Sequence, residues 1–79
     1  MKISQAVTAR INEILRDKNM SWYKLEQESG LSKGTIISVQ YARYKGVNLT
    51  TLVIIIRTLG LSIDEFFNNP LFSEENLEI

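Results

Sequence analysis

Cysteine and histidine are both missing from this sequence. Without cysteine there is no disulfide framework, no thiolate zinc site and no thiol nucleophile. Without histidine the usual general base and the commonest metal ligand are gone. Long apolar runs are also lacking. The longest, Leu52 to Ile56, falls far short of the ~20 residues a membrane-spanning helix needs. Met1 to Arg10 lacks the apolar centre of a secretion signal. Proline occurs once, at Pro70, so no proline breaks a helix upstream of it. These absences lead us to expect a soluble, cytoplasmic protein with no membrane partner, no metal, no cofactor and no evident small-molecule ligand.

What is present points to a folded chain. Apolar residues make up 44% of the 79 and charged residues 23%, which argues against disorder. A chain of this length buries only ~60–65% of its unfolded surface, so it holds one modest core. The net charge of zero conceals an asymmetry. Residues 1–60 carry all nine bases and four acids, a net of +5, whereas residues 61–79 carry five acids and no base. A basic body with an acidic end is either ordinary scatter or the mark of a charged partner.

Helical periodicity dominates. Ile3, Val7, Ile11, Ile14 and Leu15 recur at three- and four-residue steps, which predicts a helix over about 3–18. Three times an apolar residue precedes a serine and another follows four positions beyond it: Met20-Ser21 with Leu25, Leu31-Ser32 with Ile36, Leu61-Ser62 with Phe66. Serine is a favoured N-cap and the flanking pair a hydrophobic staple, so helices are expected over about 22–29, 33–41 and 63–68. Glu65 completes a capping box with Ser62. Leu52, Ile55, Ile56 and Leu59 stripe a further helix over about 50–59. Gly30, Gly60 and Asn19 stand where helices should stop. The expectation is an all-α chain of five helices, with a domain over 1–69 and a short acidic tail over 70–79.

The two short helices joined by Gly30-Leu31-Ser32 form a helix-turn-helix pattern. Ile36 and Val39 face inward, which leaves Lys33, Gly34, Thr35, Ile37, Ser38 and Tyr41 on the opposite face. Here the sequence resembles the Cro/repressor-type helix-turn-helix proteins, the XRE family of bacterial and phage regulators. The resemblance covers about residues 3–68. It rests on Leu25, Gly30, Leu31, Ser32, Ile36 and Val39, and on the run from Leu49 to Phe67. It implies a lambda-repressor-like fold, double-stranded DNA as partner and a homodimer acting as a repressor. Base contacts are then expected from Lys33, Gly34, Thr35, Ile37 and Ser38. Backbone contacts are expected from Ser21, Trp22, Ser32, Tyr41, Arg43 and Lys45. A helix N-terminus suits phosphate, Lys33 suits guanine O6 and N7, and the Thr35 methyl suits thymine.

The chain also departs from that family. Trp22 replaces a glutamine that holds phosphate, Glu26 replaces an alanine, and Leu15 with Gln40 replaces an Arg–Glu pair. An apolar substitute for an ion pair need not cost stability. The indole N–H of Trp22 either donates to phosphate or packs within the domain, and Tyr23 is expected to pack. Tyr41 and Tyr44 flank Arg43, making either a basic-aromatic patch for phosphate or a packed loop. Ile54, Phe66, Phe67, Leu71 and Phe72 form either a dimer interface or extra core under the tail. The acidic tail is a candidate for folding over the basic face. Asp64 with Glu65 and Glu74 with Glu75 are adjacent and do not face each other on a helix; with no phosphate loop and no nucleophile-base pair, no enzyme is expected. A protein-interaction module of the antitoxin or anti-repressor kind, built on Ile37, Ile54 and the tail, is the alternative.

Overall fold

The computed structural model describes residues 1–78. Its elements are α1 (Ile3–Asp17), α2 (Trp22–Ser29), α3 (Lys33–Gln40), α4 (Leu49–Thr58), α5 (Ile63–Phe67) and a 3-10 turn at Pro70–Phe72. All five expected helices are present, with ends shifted by a residue or so. Among the described residues there is no named strand, only an isolated bridge between Lys2 and Glu78.

Local chemistry explains the boundaries. Ser21, Ser32, Asn48 and Ser62 each cap a helix, their side-chain oxygens accepting the backbone N–H three residues on. In the capping box of α5 the Glu65 carboxylate accepts from the Ser62 N–H at 2.9 Å. That bond holds the Glu65 carboxyl below its usual range. Gly30 and Gly60 close α2 and α4 in the left-handed region, at φ 74° and 78°, where glycine has no steric penalty. Asn19 does the same after α1, and Ala42 after α3 with φ 48°.

The core gathers Val7, Ile11, Ile14 and Leu15 of α1 with Leu25, Ile36, Val39, Leu52, Ile55, Ile56, Leu59 and Phe66. Leu15 is thus an interior residue, and the position needs no ion-pair partner. Arg10 ties α1 to α5: its Nε and Nη2 donate to the carbonyls of Phe66 and Glu65 at 2.8 and 2.9 Å. A cation suits these last carbonyls of a helix.

The tail packs along α1. The Phe72 ring lies 5.8 Å from Phe66 and 4.7 Å from Phe67. Asn69 Nδ2 donates to Glu13 at 3.1 Å, and the Met1 ammonium donates to the Asn76 carbonyl at 2.8 Å. Glu78 pairs with that ammonium at 3.2 Å, and its carboxyl is held low mainly for that reason. Among the described residues these polar contacts run to α1 and the N-terminus. None reaches Lys33, Arg43 or Lys45, so the tail is not a cover for the basic face.

Candidate nucleic-acid interface

α2, the turn at Gly30–Ser32 and α3 form the helix-turn-helix. The turn is pinned at both ends. Leu31 N–H donates to Ser29 Oγ at 3.2 Å, and Ser32 Oγ accepts the Thr35 N–H at 3.2 Å. Ile36 and Val39 anchor α3 in the core, and Thr8 Oγ1 of α1 donates to the Val39 carbonyl at 2.5 Å. A fixed helix with one buried stripe presents its other side reproducibly.

On that other side Lys33 and Gly34 are exposed, and Thr35, Ile37 and Ser38 are half-buried. A Cβ added at Gly34 would meet nothing within 4 Å, so the protein's own packing does not demand glycine there. Two hydroxyls are oriented within the helix. Ser32 Oγ donates to Thr35 Oγ1 at 2.8 Å and Ser38 Oγ donates to the Gly34 carbonyl at 2.9 Å. Thr35 keeps its proton to donate and Ser38 keeps lone pairs to accept. The α3 N-terminus is exposed around Ser32 and Lys33, which leaves its first N–H groups facing outward.

The loop after α3 borders one cleft with Thr35 and Ser38. Lys33, Arg43 and Lys45 are exposed and enter no ion pair among the described residues. Tyr41 and Tyr44 are 68% and 66% exposed. The packed-loop reading of these tyrosines is therefore corrected: they stand in solvent beside Arg43. Arg43 N–H reaches the Ser38 carbonyl at 2.9 Å, which fixes the loop's departure from α3. Thr35, Ser38, the loop and the start of α4 border one cleft of about 500 Å³.

Several expected assignments change. The Trp22 indole N–H donates to Asn12 Oδ1 at 2.8 Å, so the donor expected for phosphate is already engaged. Asn12 is the residue that sequence reasoning missed; a polar side chain on α1 gives no sign that it meets an indole ten positions away. Phe66 is fully buried and has no surface for a second chain. Nor does the apolar set form one face: Ile54 lines the cleft beside α3, which Phe67, Leu71 and Phe72 do not. Tyr23, expected to pack, is instead exposed. Among the described residues no cluster of acidic side chains is placed to hold a metal.

The family profile of the Cro/C1-type helix-turn-helix DNA-binding domain matches residues 10–69. Among solved structures, the crystal structure of the prophage Lp1 protein 11 is similar at a TM-score of 0.82 and 27% identity, over 94% of this chain and 99% of that one. No curated relative matches.

Proposed function

This chain belongs to the Cro/C1-type helix-turn-helix DNA-binding family, and from that premise we propose that it is a sequence-specific transcriptional regulator, acting as a repressor by occupying its site. The family is one of DNA-binding domains, not of enzymes. In our reading α3 enters the major groove, with Lys33, Thr35, Ile37 and Ser38 on base edges and the main chain at Gly34 approaching closely. Ser21, Ser32, Tyr41, Arg43 and Lys45 grip the flanking phosphates. Lys33 exposed at the open end of α3, with the exposed and unpaired cations Arg43 and Lys45 in the loop that follows, is the observation that carries this reading.

Two copies would address half-sites about 34 Å apart. Ile63 and Phe67, four apart on α5, offer the apolar surface for such a homodimer; Ile63 is exposed and Phe67 half-buried. The cytoplasm, where a bacterial or phage operator resides, is the compartment this function requires.

The test is selection of bound duplexes from a random pool, followed by anisotropy titration of the winner. Lys33→Ala and Ser38→Ala should each lose about 1–3 kcal/mol on the selected site and relax preference at one base pair. If both variants bind like the parent, α3 does not read the groove. If no duplex binds even at low salt, the protein-interaction module takes its place.

A further inference from the structure

The cleft between α3, the loop Tyr41–Asn48 and the first turns of α4 has a chemistry of its own. Its volume of about 500 Å³ lies within the usual range of small-molecule sites, ~300–1,000 Å³. Leu31, Val39, Ala42, Val47 and Ile54 supply apolar surface, and Ser4, Thr35, Ser38, Thr50 and Thr51 supply hydroxyl-bearing residues. No Lys, Arg, Asp or Glu lines it. A charged molecule entering it would lose hydration and gain no counter-charge.

Ser4 is the telling residue. It sits in the first turn of α1, is only 3% exposed, and is the single buried polar residue of the described chain. Its backbone carbonyl lies 3.0 Å from the Thr8 hydroxyl, whose one proton it shares with the Val39 carbonyl, but its own hydroxyl has no partner among the described hydrogen bonds. No fully enclosed side-chain nitrogen or oxygen lacks a partner among the described residues. The Ser4 hydroxyl therefore retains an opening to the exterior, and the cleft is the opening that Ser4 lines. Through that opening the hydroxyl is free to exchange a hydrogen bond with a ligand's polar group in place of one with solvent.

We propose that this cleft binds a small neutral organic molecule with an apolar body and one hydroxyl or carbonyl group, the polar group meeting Ser4. The apolar body packs on Val39, Val47 and Ile54. Thr35 and Ser38 belong both to this cleft and to the proposed DNA-reading face, which makes the site an effector position beside the recognition helix.

The test uses the full chain without DNA, so its result is independent of the DNA reading. Isotope-labelled protein is titrated with benzyl alcohol, toluene, benzoate and benzylamine, following backbone amide shifts. Benzyl alcohol should give saturable shifts confined to the neighbourhood of Ser4, Ala42, Val47, Thr51 and Ile54, with a dissociation constant on the order of 1 mM, as a fragment of that size allows. Toluene should bind about fivefold more weakly for want of one hydrogen bond. The two charged analogues should bind more weakly still. Ser4→Ala should remove the preference of alcohol over toluene. Ile54→Phe should block the site, and Thr50→Phe, at an exposed position, repeats the test should Ile54→Phe unfold the chain. Scattered or non-saturating shifts, equal binding of all four probes, or shifts unchanged in a folded blocking variant would each overturn the proposal, leaving a water-filled surface cleft only.

Discussion

Phe72→Ala asks whether the tail is part of the domain or a surface kept for another chain. The Phe72 ring contacts Phe66 and Phe67 within its own chain. Truncating a fully buried phenylalanine to alanine costs about 3–5 kcal/mol. Phe72 is half-buried, so we expect about 2 kcal/mol, including two aromatic pairs at ~0.5–1.5 kcal/mol each. Against a total stability of ~4–12 kcal/mol for this length that is a large fraction. Each kcal/mol moves the melting midpoint by about 4–8 °C in a domain of this size, so a fall of about 10 °C is expected. Thermal melts by far-ultraviolet circular dichroism, with urea titrations alongside, are run at two protein concentrations about tenfold apart. The destabilisation should be the same at both, because the contact is intrachain. A change below about 0.5 kcal/mol, typical of a surface substitution, would refute the packing. So would a loss that grows with concentration, which would place Phe72 between chains.

Arg43→Ala and Lys45→Ala should each weaken binding uniformly across duplex sequences and reduce the slope of log affinity against log salt by about 1, read by anisotropy at several salt concentrations. Ala42 holds φ 48°, a conformation that costs a non-glycine residue ~1–2 kcal/mol. Ala42→Gly removes that strain against ~0.5–1 kcal/mol of added chain entropy, so urea unfolding should show a net gain of about 0.5 kcal/mol. Glu65 and Glu78 have carboxyls held below their unfolded value. Their contribution is therefore fully present above that value and lost as pH falls through the lower folded one. Melts should be flat from neutrality down to about pH 5 and decline below it, and Glu65→Gln should shrink that acid decline.

Helix boundaries were legible because caps and staples are local. Ser21, Ser32 and Ser62 needed only their neighbours four positions away, and each proved an N-cap. Inward positions such as Ile36 and Val39 followed from spacing alone. The exposed face of α3 followed from the same spacing, so its surface residues were found before any fold was seen. What stayed hidden lies across distance or against propensity. The Asn12–Trp22 bond joins two helices, and Arg10 reaches α5 across 56 positions. No pattern within one helix encodes either. Ala42 gave no warning of a left-handed turn, since alanine is the strongest helix former and glycine or asparagine is the usual left-handed residue at a helix end. Phe66 was misassigned because an apolar residue on a short helix reads alike for core and for interface until its neighbours are placed.

The stitching of α1 to the far end of the chain has a consequence for the order of events during synthesis. α1 is made well before α5, yet Arg10 and Glu13, besides pairing with each other, find partners at Phe66 and Asn69. Most other contacts of a helical domain close over short loops and form fast. α3 can cover part of the Val7 and Ile11 stripe once Val39 has emerged, but the cover that Phe66 adds to the same core waits for the rest of α4 and α5, made at about 5–20 residues per second. A nascent chain stalled before Phe66 would leave part of that core open to chaperones or to other nascent chains, and residues 66–72 would be the ones that end the exposure.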